Sequence, residues 1–312
     1  MAKNVIKQHV GTMASDSKRQ LLAQLLKGKA SPSIVPNRIL PRSADTIVPL
    51  SFAQERLWFL QQWEPDNPAY NIVRAYRVSG ALDDAALARS IEIIVDRHEV
   101  VRSKFPDVDD HPAQQLLPAA ALALRQVELR GWPRRGRVAE FARQLAEEAS
   151  RPLDLAAGPL LRVTLHRFSS NDHVLILVAH QSIFDGRSLD NFYRELEALY
   201  RAGGTLEGVK LPSLSVQYAD YALWQRNQQA SDKFIEQLDY WTARCAGSLP
   251  VLELPADRTR SGQLCFKGAR RKIVIGRTLT ATLKEFSRKS ATTLFVTLMA
   301  AYKVLLYRYT GE

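Results

Sequence analysis

The chain has 312 residues, 46% of them apolar and 24% charged, the proportions of a protein that buries a core, which excludes a disordered or collagen-like chain. No run of about 18 or more uncharged apolar residues occurs, and Met1 to His9 carries charge with no apolar stretch behind it; the expectation is a soluble, cytoplasmic protein with neither a membrane span nor a leader. The net charge of +11 sits at the two ends, +6 over residues 1–45 and +8 over 261–312, leaving 46–260 at −3, so no basic face suited to nucleic acid is predicted for the body.

Residues 17–28 put Leu21, Leu22, Leu25 and Leu26 on one helical face, and the three prolines of 30–43 break the pattern, predicting a short amphipathic helix on a linker. The folded part is expected to begin near Val48. Ser51 followed by Gln54 reads as a capping box, and the helix it opens, with Leu57, Trp58 and Leu60, is stopped by Pro65 and Pro68. Asn71 to Val78 reads as a strand. From Leu82 to His98 a stripe of Leu87, Ile91, Ile94, Val95 and His98 predicts a helix packed on a sheet. A second helix, Val138 to Ala149, leads to the strand Leu160 to Phe168, where Leu161, Val163 and Leu165 alternate with Arg162, Thr164 and His166. After the turn Ser169 to Asp172, the apolar run His173 to Ala179 reads as a strand buried on both faces, which makes a central hairpin.

The next helix, Ser188 to Ala202, ends at Gly203-Gly204, and Tyr218 to Arg244 is helical again. Residues 249–261 read as an extended crossover, Arg270 to Ile275 as a strand, Thr278 to Ser290 as a helix and Thr292 to Tyr309 as a strongly apolar helix. Strands and helices mixed in this order predict an α/β fold, an α+β sandwich rather than a bundle. Cys245 and Cys265 have neither CxxC spacing nor a Cys/His cluster, so no metal site and no disulfide framework is expected. His98 reads as a satisfied core histidine, His166 and His173 as facing water, and Arg56, Trp58, Tyr218 and Trp224 as packing residues.

Four segments in this order resemble the core motifs of the condensation domains of nonribosomal peptide synthetases. They are Ser51 to Leu60 (SFAQERLWFL), Arg97 to Phe105 (RHEVVRSKF), His180 to Gly186 (HQSIFDG) and Tyr218 to Gln225 (YADYALWQ). The resemblance runs from about Pro49 to the end of the chain. It implies a chloramphenicol-acetyltransferase-like fold of two lobes with a tunnel between them: residues 1–47 are a basic helix and linker, 48–250 the first lobe, and 251–312 a crossover and the truncated start of the second. It also implies amide formation, in which a donor thioester and an acceptor amine arrive on the phosphopantetheine arms of carrier proteins, with no cofactor bound by the chain itself.

The third motif in this family has the form His-His-x-x-x-Asp-Gly. Carried over, the first histidine is His180, the second position is Gln181, and the aspartate and glycine are Asp185 and Gly186. The family's second histidine is held to accept or position the amine proton. A glutamine amide does not titrate near neutral pH, so general-base help worth roughly 10²- to 10⁴-fold is lost while hydrogen bonding remains. His180 is expected to point away from the side Gln181 faces and to support the loop through buried hydrogen bonds. Asp185 reads either as an ion pair with Arg97 or Arg102 or as an electrostatic element of the acceptor site, and the resemblance favours the ion pair. Gly186 is expected to need a positive φ or a close backbone approach. With the second lobe incomplete, the expectation is a chain inactive or impaired alone, with carrier proteins and a chain supplying the second lobe as partners. A non-catalytic docking module for a synthetase or tailoring enzyme is the second reading. A coenzyme-A-dependent acyltransferase of the same superfamily is the third; it would need a histidine at 181.

Overall fold

A computed structural model of the protein describes residues 38–43, 46–109, 111–119, 122–257 and 271–312. The amphipathic helix expected at 17–28 and Cys265 lie outside them. Two four-stranded sheets and eight α-helices organise the described residues. Strand β1 is Val48–Pro49, helix α1 Phe52–Trp63, strand β2 Asn71–Ser79 and helix α2 Asp84–Arg97. Three short strands follow, β3 (Ser103–Lys104), β4 (Asp107–Val108) and β5 (His111–Leu116), then β6 (Arg125–Glu128), α3 (Arg134–Ser150), β7 (Leu161–Ser169), β8 (Asp172–His180) and α4 (Gly186–Arg201). The chain closes with α5 (Tyr218–Asn227), α6 (Asp232–Arg244), α7 (Arg277–Lys289) and α8 (Leu294–Thr310).

The main sheet runs β2-β8-β7-β6, with β7 and β8 forming the expected antiparallel hairpin and β6 joining β7 in parallel. All of β8 after Asp172 is buried, as a continuous apolar run requires. Helices α2 and α4 cover one face through Leu87, Ile91, Ile94, Val95, Leu189, Phe192, Leu196 and Leu199. Helix α3 lies over the other face. Gly204 ends α4: its φ is +75°, and a Cβ there would lie 2.6 Å from the Ala86 carbonyl oxygen, so only glycine lets the end of α4 approach α2 this closely.

Burial of both faces corrects one expectation. His166 and His173 do not face water; they are 1% and 2% exposed. Alternation along β7 turns His166 away from the α2–α4 side, but α3 closes that side too, and the Phe141 ring stands edge-on to His166 with centroids 5.3 Å apart. Arg56 is exposed rather than packed, since α1 turns that position to solvent. The segment 271–275 forms no strand: Ile273 and Val274 are exposed and no neighbouring strand offers backbone partners among the described residues. The helix expected at 218–244 is two helices, parted by a 3₁₀ turn at Gln228–Ala230. No single described helix is long and apolar enough to cross a membrane; α7 and α8 reach that length and composition only when joined across a 103° bend.

Candidate active site

The four motifs, spread across some 175 residues of sequence, meet in one hydrogen-bonded assembly at the end of β8. The capping box that opens α1 begins it. Gln54 Oε1 accepts the Ser51 N–H at 3.0 Å, and the Gln54 Nε2 amide reaches across to donate to the Ser182 carbonyl at 3.3 Å. One buried glutamine therefore caps its own helix and holds the loop after β8. The Ser51 hydroxyl lies 2.9 Å from the Tyr218 hydroxyl at the start of α5, and Phe52 N–H donates to Gln225 Oε1 at 2.9 Å.

His180 is the last residue of β8 and is 3% exposed. Its Nδ1 accepts the Ser182 backbone N–H at 3.1 Å; because a backbone N–H can only donate, Nδ1 carries no proton, and the Ser182 hydroxyl, 2.8 Å away, donates as well. Burial pushes this imidazole down from 6.5 to about 4, so it is neutral at neutral pH. His180 thus makes buried hydrogen bonds within the loop it begins.

Gln181 differs in every respect. Its backbone N–H donates to the Tyr70 carbonyl at 2.9 Å, which fixes the position, while its side chain is exposed and its amide has no partner among the described residues. Next in the loop, Ile183 and Phe184 turn inward against His98, Val100 and Val101 around a cavity of about 80 Å³. The second and third motifs are thus in apolar contact.

Asp185 corrects the sequence expectation. It pairs with neither Arg97 nor Arg102 but caps α4, its Oδ1 accepting the Ser188 N–H at 2.8 Å and the Ser188 hydroxyl at 2.7 Å. Those bonds, the backbone one foremost, hold its carboxyl below the usual carboxylate range. The arginines are engaged elsewhere. Arg97 lies 3.3 Å from Glu195 Oε2 and donates to the Pro212 carbonyl, and Arg102 donates to the Leu117 carbonyl at 3.2 Å. His98, half-buried at the end of α2, is satisfied as expected, its Nε2 lying 2.8 Å from Glu195 Oε2. Gly186 has no positive φ, and a Cβ there would meet nothing within 4 Å; it opens α4 beside free space.

Sequence reasoning missed Arg42. Its guanidinium bridges Glu99 Oε2 at 2.7 Å and Asp220 Oδ1 at 3.0 Å, tying the second motif to the fourth from within a proline-rich linker that gives no pattern signal. Trp224 is half-buried, its ring 5.9 Å from Tyr221. The described residues contain no cluster of three or more potential metal ligands, and Cys245 is exposed and unpaired. The assembly presents one uncharged amide, Gln181, on a hydrogen-bonded frame, able to donate and accept hydrogen bonds but not to titrate near pH 7.

Comparison with known proteins gives a consistent set of likenesses. The family model described as "Condensation domain" matches residues 44–312. One of the linear gramicidin synthase proteins of Brevibacillus parabrevis is 42% identical over 275 residues, 88% of this chain and 5% of that protein. Phosphinothricin tripeptide synthetase PhsC of Streptomyces viridochromogenes is 38% identical over 300 residues, 96% of this chain and 27% of that protein. Among solved structures, the X-domain from teicoplanin biosynthesis superposes with a TM-score of 0.74 at 27% identity, over 87% of this chain and 59% of that one. The same X-domain in complex with OxyB gives 0.69 at 26% identity over 87% and 59%, and SgcC5 from Streptomyces globisporus gives 0.61 at 31% identity over 85% and 60%. The chain therefore spans about three fifths of these solved relatives and a small part of the synthetases.

Proposed function

The chain belongs to the condensation-domain family of nonribosomal peptide synthesis, whose reaction is amide formation, and from that premise we propose that its own site holds and orients substrates without moving a proton for them. The observation that carries the proposal is the contrast at the end of β8: the imidazole at 180 is buried, neutral and bonded to Ser182, and the side chain offered to solvent at 181 is an amide. The acceptor amine attacks the thioester carbonyl, the new N–C bond forms, the C–S bond breaks and the thiolate leaves. Gln181 accepts a hydrogen bond from the attacking amine and aims it, but the proton that the nitrogen sheds passes to the departing sulfur or to solvent. Carrier proteins bearing phosphopantetheine are the proposed partners, and Asp185, Gly186 and Trp224 shape the surroundings rather than react.

Residues 48–250 form the first lobe in this reading. The apolar faces left open on α6 to α8 are where further condensation-domain chain, continuous or separate, packs to complete the tunnel. A second reading is favoured by the likeness to the teicoplanin X-domain, which has been solved in complex with OxyB: a docking surface that recruits a synthetase or tailoring enzyme and forms no bond.

Incubating the chain with donor-loaded and acceptor-loaded carrier proteins should give no more condensed product, by mass spectrometry, than the carrier proteins give alone. With the remaining chain supplied in trans, wild-type turnover equal to that of Gln181→His would overturn the proposal. Gln181→His should stay silent by itself and gain roughly 10²- to 10⁴-fold when the remaining chain is supplied in trans. The docking reading fails if neither carrier proteins nor tailoring enzymes bind the chain measurably.

A further inference from the structure

A polar cavity of about 310 Å³ lies on the side of the main sheet covered by α3, against the β6 edge and away from the loop after β8. The parallel register of β6 on β7 sets Arg125 beside Thr164 and Val127 beside His166, so all four side chains share the face that α3 covers. Helix α3 contributes Arg143, Gln144, Glu147 and Glu148, and Arg151 follows at its end. A smaller cavity of about 120 Å³ adjoins it through Arg125, Glu148, Arg151 and Thr164.

Two independent features mark this cavity as built for a ligand. His166 lines it, is 1% exposed, and neither ring nitrogen has a hydrogen-bond partner among the described residues. Buried polar groups are nearly always bonded, so a two-sided orphan calls for something to bond to. The second feature is charge. The buried Glu148 carboxylate is met by three guanidiniums, Arg125 at 2.9 Å, Arg162 at 3.2 Å and Arg151 at 3.4 Å, and the fourth arginine, Arg143, is paired with Glu140 and Glu147, so four arginines against three glutamates leave a small excess of positive charge. Burial, with Arg125 second, lowers the pKa of His166; burial, with Arg151 second, lowers that of Arg162. The volume exceeds what one or two waters fill and reaches the lower end of small-molecule sites, roughly 300–1,000 Å³.

We propose that this cavity binds a small oxyanion, a carboxylate or a phosphate, gripped by Arg125 and Arg151 with Thr164 and the His166 ring as hydrogen-bond partners. The anion supplies the negative charge the cluster lacks, and the neutral imidazole donates to it from one nitrogen.

The test titrates the full chain, ¹⁵N-labelled at histidine, with inorganic phosphate in one arm and acetate in the other, at ionic strength held constant with sodium chloride. His166 is identified by the resonances lost in His166→Gln. A saturable shift of those resonances with either anion is expected, and the arm that saturates fixes the class. In Arg125→Gln/Arg151→Gln the dissociation constant should rise by roughly tenfold or more. A flat titration in both arms, or a shift that sodium chloride alone reproduces, overturns the proposal. Unchanged affinity in the folded double variant does the same; if that variant does not fold, the wild-type titration decides.

Discussion

Helices α2 and α8 are both rich in aliphatic residues, and they end in opposite environments. In α2, Ile91, Ile94 and Val95 are at most 1% exposed, locked between the sheet and α4. In α8, Phe295 and Val304 are 70% and 60% exposed, and α6 has no buried residue at all. An apolar stripe states only that a helix requires a covering layer; it does not say whether that layer lies in the same stretch of chain. Up to Trp224 the covering layers are at hand, because β2, β6, β7 and β8 make a sheet broad enough to receive helices on both faces. From Ser231 onward, α7 and α8 touch each other and little else.

This contrast is most directly broken by truncating one apolar side chain on each side of it. Leu177→Ala, in the middle of β8 and fully buried, should lower unfolding stability by about 2–5 kcal/mol in urea, because the hairpin cannot collapse into the space left. Val304→Ala in α8 should change it by no more than about 0.5 kcal/mol. Comparable losses at the two sites would show that α8 is covered after all.

A smaller effect separates the two regions by pH. His180 has a folded value of about 4 against 6.5 in an exposed setting, so the unfolded chain takes up a proton that the folded chain refuses. Its contribution is complete above pH 6.5 and falls away as the pH drops towards 4, by about 3 kcal/mol in all, with His166 adding in the same direction. His180→Gln should flatten the decline in urea midpoint over that window. The helices after Ser231 hold no histidine, so a reporter placed on α8 should not follow this dependence.

The elements that sequence made legible are those whose partners are adjacent in the chain. The β7–β8 hairpin, the α2 stripe and the Ser51–Gln54 capping box all follow from spacing within about 20 residues. Strand β6 was not legible: Arg125-Gln-Val-Glu128 shows no apolar alternation and is a strand only because β7, some 40 residues on, offers a parallel edge. His166 and His173 were misplaced because alternation predicts which residues share a face, not whether a later layer closes over it. The four motifs, distant in sequence, meet at the candidate site. The cross-links that build it, Gln54 to Ser182 and Arg42 to Glu99 and Asp220, join residues with no local signature.

The smallest expected effect concerns Asp185, where local and long-range readings of one carboxylate diverge. The sequence Asp185-Gly-Arg-Ser188 already contains an N-cap with an acceptor placed for the N–H three residues on, and the structure uses it in that way. A cap needs an oxygen acceptor, not a charge, and asparagine caps about as well as aspartate. Asp185→Asn should therefore stay within a few tenths of a kcal/mol of wild type, whereas Asp185→Ala should cost about 1 kcal/mol in urea unfolding. An ion pair with Arg97 or Arg102 would make the two variants equally damaging, because both remove the charge. A large gap between Asn and Ala therefore assigns Asp185 to holding the first turn of α4 against the loop that presents Gln181, and equality returns it to the arginines.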